Sequence, residues 1–187
     1  MRAEGSRTAI TVIGSGRHDH PETGPLGRVL AELGVDLVTG GGGGVMAGVS
    51  RSFFETPGRT GRVVGILPAH PDRPGEAPAG YPNSWVEIAV RTHLPGRGTG
   101  GAGADSRNHL VVLTGEVVIA LPGGSGTKSE LSLAARYGRP VLLLGWSRGE
   151  PIGFGSRPGS DAEGPEPARF DHTNRLVSEL TRRVHLP

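Results

Sequence analysis

The chain contains no cysteine, which removes disulfides and thiolate metal sites from consideration and fits any redox compartment. No apolar run approaches membrane-spanning length, so no transmembrane helix is expected. A secretory leader is not expected either, because residues 1–6 are polar and the apolar run at 8–13 is too short for a signal core. A soluble cytoplasmic protein is the resulting expectation. Aromatic residues make up only 4% of the chain, the formal net charge is +2, and no dense Lys/Arg block with interleaved aromatics occurs. These shortages argue against a nucleic-acid surface as the main business of the protein.

What is abundant is glycine, with 33 residues, and proline, with 16, both above ordinary usage. Much of the excess falls in the segments 69–84, 91–103 and 147–168, which read as long Gly/Pro-rich loops of mobile character. A length of 187 residues suits one domain spanning residues 1–187.

Between the loops, short continuous apolar runs alternate with helical periodicity. Runs at 8–13, 35–39, 62–67, 85–90, 117–121 and 141–144 read as strands. Segments 25–33, 45–55, 104–114 and 126–137 read as helices, and Asp171 reads as the N-cap of a last helix carrying Leu176, Leu180 and Val184. This alternation implies an α/β, Rossmann-like, doubly wound and mostly parallel sheet with helices on both faces. Ligands of such sheets bind outside the carboxyl ends of the strands. Three glycine turns follow strand ends here: Gly14-Ser15-Gly16, the run Gly40 to Gly44, and Pro122-Gly123-Gly124-Ser125-Gly126-Thr127. They can line one crevice.

The third turn is the most informative. A strand, a glycine turn and a helix start leave backbone N–H groups facing outward with the helix dipole behind them, an arrangement that attracts phosphate. Gly123, Gly124, Ser125, Gly126 and Thr127 are therefore the candidate phosphate-binding residues. Thr127 and Glu130, three apart, share a helix face, so a carboxylate follows the anion site by one turn and would meet the sugar of a phosphorylated ligand. The bland alternative is a tight connection followed by a solvent-facing Glu in a first turn that favours carboxylates anyway. The helix N-terminus is expected to keep Glu130 ionised.

Two familiar phosphate motifs fail. A Walker A alignment on Lys128-Ser129 places Pro122 and Thr127 where glycines belong. A dinucleotide fingerprint begun at Gly14-Ser15-Gly16 meets Asp19 at its third glycine, which argues against NAD. His18 and His20 are candidates to bind a metal or touch the base, but with no third ligand in view they read as loop surface. No metal and no resident cofactor are expected.

Gly40-Gly41-Gly42-Gly43-Gly44-Val45-Met46 followed by Pro122-Gly123-Gly124-Ser125-Gly126-Thr127-Lys128-Ser129-Glu130 resembles the LOG, or "lysine decarboxylase-like", family, whose paired motifs are GGGxxGxM and PGGxGTxxE. The resemblance spans roughly residues 8–145. It implies a phosphoribohydrolase that cleaves the N-glycosidic bond of a nucleoside 5′-monophosphate, such as a cytokinin riboside monophosphate or AMP. It further implies Glu130 and Arg107 as the catalytic pair, and a homodimer with helices flanking the crevice packed across the two-fold. Ser15, Gly14, Gly41, Gly42, Met46 and Asn108 are the candidate contacts to base and sugar. Around Arg107 the sequence reads Asp105-Ser106-Arg107-Asn108, where the hydrolases usually carry Met-His-x-Arg-Lys. That segment looks more like a sister branch that includes molybdenum-cofactor carrier proteins. A nucleotide or pterin carrier using the same crevice without chemistry is thus the alternative. From the residues alone, Arg107 also reads as a helix-surface ion pair with Asp105 or a neighbouring carboxylate.

Overall fold

A computed structural model describes residues 7–152 and 166–183. Seven strands form one sheet in the order β4-β3-β2-β1-β5-β6-β7, and every pairing is parallel. They are β1 (Ala9–Ile13), β2 (Asp36–Thr39), β3 (Val63–Leu67), β4 (Ile88–Arg91), β5 (Val117–Ala120), β6 (Val141–Leu144) and β7 (Ala168–Phe170). The helices are α1 (Thr23–Glu32), α2 (Val45–Glu55), α3 (Asn108–Thr114), α4 (Ser125–Arg136) and α5 (Thr173–Arg183). The doubly wound α/β expectation is met.

Period-two alternation splits each central strand between two apolar layers. Ile10, Val12, Val117 and Ile119 join Leu26, Leu30, Val49, Phe53, Leu176 and Leu180 on the side of α1, α2 and α5. Ile13, Val118 and Ala120 join Val111, Val112, Leu131 and Ala134 on the side of α3 and α4. The chain winds outward from β1 to β4, then returns to build β5 to β7 on the other side of β1. The strand order therefore reverses between β1 and β5, where Ile13 lies level with Ala120 and Ser15 N–H donates to the Pro122 carbonyl at 3.1 Å. A topological switch point of this kind opens a crevice at the strand ends.

Several boundaries differ from the sequence reading, each for a local reason. The fourth strand starts at Ile88 rather than 85, because Asn83 accepts from Trp85 N–H at 3.2 Å in a side-chain turn that delays pairing. The helix expected from 104 starts at Asn108, since Ser106 is held to Gly96 by its hydroxyl at 3.0 Å. The segment 147–168 ends in β7, three half-buried residues that pair with β6. Asp171 is not the cap of α5: the first helical N–H and hydroxyl, both of Thr173, donate to Glu22 of the α1 entry at 2.8 and 2.7 Å. Val184 lies outside the described residues. Among the described residues no helix is long and apolar enough to cross a membrane.

Candidate functional site

The crevice at the switch point is a cleft of about 620 Å³, within the usual range for small-molecule sites. Its floor is the start of α4. Gly124 is the N-cap and supplies no side-chain cap, so the first helical turn presents N–H groups that have no acceptor within the helix. Gly124, Ser125, Gly126 and Thr127 all line the cleft. Gly123 does not line it but is what lets it form: a Cβ there would stand 2.8 Å from Ser15 N and 2.9 Å from Thr127 Cβ. The Thr127 side chain is buried against this glycine.

Glu130, one turn on, also lines the cleft and is only 8% exposed, so the reading of a solvent-facing carboxylate is overturned. Facing it is Arg107, 3% exposed, at the entry of α3. The surface ion pair with Asp105 is overturned by the same burial, because Asp105 is exposed while Arg107 is not. Arg107 Nη1 stands 4.0 Å from Glu130 Oε1, close enough for attraction and too far for a hydrogen bond. Arg107 Nε and Nη1 are buried without a hydrogen-bond partner among the described residues. The expectation of an ionised Glu130 is corrected: burial pushes its carboxyl up to about 7, a rise that the Arg107 charge only partly offsets. Loss of water outweighs the helix dipole here.

Arg107 reaches this position because Gly40, at the end of β2, has no side chain. A Cβ at Gly40 would lie 2.8 Å from Arg107 Cζ and overlap the guanidinium. Gly14, Ser15, Met46 and Asn108 line the cleft. Gly41 and Gly42 do not. Gly41, at φ +71°, packs against Leu67 and Gly65, and its carbonyl accepts from Asn83 N–H at 2.8 Å. Gly42 accepts from Asn83 Nδ2 at 2.9 Å and lies against Met46 and Tyr81. The two glycines shape the wall from behind. The Ser15 hydroxyl accepts from the N–H groups of Arg17 and His18 at 3.2 and 3.0 Å, fixing the β1 turn.

Four wall residues were not anticipated as contacts: Arg17, Tyr81, Arg97 and Gly98. Tyr81 and Arg97 belong to the Pro- and Gly-rich loops. The two are stacked, with Arg97 Cζ 5.6 Å and Arg107 Cζ 6.0 Å from the Tyr81 ring centre. His18 lines the cleft, whereas His20 packs under Gly145. No group of three or more His, Asp or Glu that could hold a metal occurs among the described residues.

Comparison with known proteins agrees with the resemblance read from the motifs. An uncharacterized protein of Archaeoglobus fulgidus is 31% identical over 139 residues, covering 72% of this chain and 78% of its own length. The molybdenum cofactor binding protein of the phototrophic bacterium Rippkaea orientalis superposes with a TM-score of 0.60 at 28% identity, over 95% of this chain and 86% of that one. The Moco carrier protein of Chlamydomonas reinhardtii shares the fold, with a TM-score of 0.69 at 22% identity, over 95% of this chain and 98% of that one. Residues 7–162 match the SLOG cluster4 family, and the chain belongs to that family.

Proposed function

We propose that the cleft takes a nucleoside 5′-monophosphate and hydrolyses its N-glycosidic bond, releasing free base and ribose 5-phosphate. The observation that carries this reading is the buried pair of Arg107 and Glu130, set one helical turn beyond the anion-attracting start of α4. The phosphate rests on Gly124, Ser125, Gly126 and Thr127, and the ribose then lies at Glu130. Breaking the C–N bond sends the bonding electron pair to the base and builds positive charge on the sugar, which a carboxylate stabilises. Water adds to the anomeric carbon. Glu130 takes one of its protons, which balances the proton gained by the departing base. A carboxyl that titrates near 7 is suited to exchange a proton at neutral pH. Arg107 favours the charged form of Glu130 and positions Glu130 or the sugar phosphate. The site needs no resident cofactor in this scheme, and the homodimer implied by the motif resemblance is part of the same proposal.

A second reading, a pterin-cofactor carrier without chemistry, is favoured by the 28% identity to a molybdenum cofactor binding protein together with the Asp105-Ser106-Arg107-Asn108 segment. One experiment separates the two. The protein is incubated with a panel of nucleoside 5′-monophosphates, and ribose 5-phosphate and free base are assayed beside Glu130→Gln and Arg107→Ala. Turnover that both substitutions abolish is expected; no turnover with any base, together with tight binding of a molybdopterin-type ligand, sinks the hydrolase.

A further inference from the structure

Asn108 is only 2% exposed, yet it lines the cleft. Its backbone is fixed: the N–H donates to Ser106 Oγ at 3.2 Å, and that hydroxyl donates to the Gly96 carbonyl at 3.0 Å. Its side-chain carboxamide makes no hydrogen bond among the described residues. The fully enclosed side-chain atoms without a partner there are Ser50 Oγ and Arg107 Nε and Nη1. The Asn108 amide is not one of them, so the little exposure it keeps is toward the cleft that the residue lines. An amide so placed is left for a ligand to complete, since closing a mismatched group over it forfeits its hydrogen bonds.

The amide lies against the second turn of α4. Gly101 is wedged between the two: a Cβ there would overlap Asn108 Nδ2 and stand 3.3 Å from Ser129 Cβ. Ser129 is on the turn that carries Glu130, one turn beyond the anion-attracting start of the helix. That is the depth at which the sugar of a phosphorylated ligand lies. Other elements make the apolar part of the wall, for a Cβ at Gly42 would stand 3.1 Å from both Met46 Cε and Tyr81 Cε1. A thioether and an aromatic ring suit a flat base. A carboxamide instead offers a donor and an acceptor side by side, and two hydroxyls on adjacent carbons complement both.

We propose that Asn108 makes the cleft specific for ribonucleotides, its carboxamide hydrogen-bonding the 2′- and 3′-hydroxyls of the ribose. This rests on the reading that a nucleoside 5′-monophosphate occupies the cleft, and it narrows the ligand class to ribonucleotides over 2′-deoxyribonucleotides. A ligand without the 2′-hydroxyl leaves half of a buried amide unpaired and is rejected for that reason. Asn108 selects the sugar, and Glu130 acts on it.

The test compares AMP with 2′-deoxy-AMP in two readouts, affinity by titration calorimetry and kcat/KM by release of adenine. The parent protein is expected to prefer AMP by at least about tenfold in each readout. Asn108→Ala and Asn108→Leu, checked for folding by thermal melting, should lose about tenfold or more on AMP and less than about threefold on 2′-deoxy-AMP, so that the gap closes. Equal use of the two nucleotides by the parent protein overturns the inference whether or not the variants fold. A gap that survives Asn108→Ala overturns it too, as does an equal loss on both nucleotides in a folded variant, which marks a merely structural role. If both nucleotides are hydrolysed equally well, the hydrolase stands and this inference falls. If neither is hydrolysed while AMP still binds the tighter and Asn108→Ala removes the difference, this inference stands and the hydrolase falls. Failure of both nucleotides to bind or react removes both.

Discussion

The Arg107 guanidinium rests on Gly40: a Cβ added to that glycine would lie 2.8 Å from Arg107 Cζ. The two residues belong to different elements, Gly40 just after β2 and Arg107 at the start of α3. The glycine therefore sets where the catalytic candidate can point. Gly40→Ala is expected to cost about 1–3 kcal/mol of stability through overpacking, and to lower turnover or ligand affinity as much as Arg107→Ala does. Thermal melting followed by circular dichroism, paired with the ribose 5-phosphate assay, checks both parts. Unchanged binding in a folded Gly40→Ala protein would show that Arg107 does not act from this position.

Neighbouring glycines in the α4 turn make a controlled pair. A Cβ at Gly123 would crowd Ser15 N and Thr127, whereas one at Gly124 would meet nothing within 4 Å. Gly123→Ala should destabilise the fold by about 1–3 kcal/mol and open the turn. Gly124→Ala, with an ordinary negative φ of −84°, should leave stability within about 0.5 kcal/mol. Because Gly124 lines the cleft, any loss in that variant should be confined to phosphate binding, read by calorimetry with orthophosphate.

The turn itself was legible because three local signals coincide there: a continuous apolar strand, glycines without an intervening breaker, and helical spacing from Thr127 to Glu130. The doubly wound order followed from the alternation of such runs. Arg107 could be placed in the site only through the motif, since its burial depends on Gly40, far away in the chain, and an arginine beside an aspartate looks like surface. Tyr81 and Arg97 left no trace, as they enter from Pro- and Gly-rich loops without periodicity. Those loops are tied down by Asn83 to Gly41 and by Gly98 to α4, contacts that composition does not encode. The state of Glu130 is hidden from the sequence for a similar reason: a helix start is visible there, but the desolvation that raises the carboxyl is made by the whole cleft.

Glu22 ties the entry of α1 to the start of α5, in place of the cap expected at Asp171. Its carboxylate accepts from Thr173 N and Oγ1, and His172 Nδ1 lies 2.9 Å away. Burial alone would raise its pKa, but the hydrogen bonds from His172 and Thr173 outweigh that and hold it below the ordinary value of 4.5. A depressed carboxylate contributes stability that is present above its unfolded value and lost as pH falls. Glu22→Ala is expected to cost about 1–2 kcal/mol at pH 7, with the difference from the parent protein shrinking toward pH 3. Urea denaturation across that range would refute the tie if the two proteins differed by a constant amount.

Glu130 carries the opposite linkage. Its folded carboxyl titrates near 7 against an ordinary 4.5, so the folded state binds the extra proton between these values. Stability is then full below about pH 4.5 and declines as pH rises through 7, by roughly 3 kcal/mol in all. Glu130→Gln removes the titrating group while keeping its size. The variant should match the parent below about pH 4 and exceed it by up to about 3 kcal/mol at pH 8, as measured by chemical denaturation. Activity should run the other way: if Glu130 takes the proton from water, kcat/KM of the parent rises with pH through a single ionisation near 7 and is lost in the Gln variant at every pH. A protein whose stability and activity are both flat across this range does not keep Glu130 as a buried, proton-exchanging carboxyl.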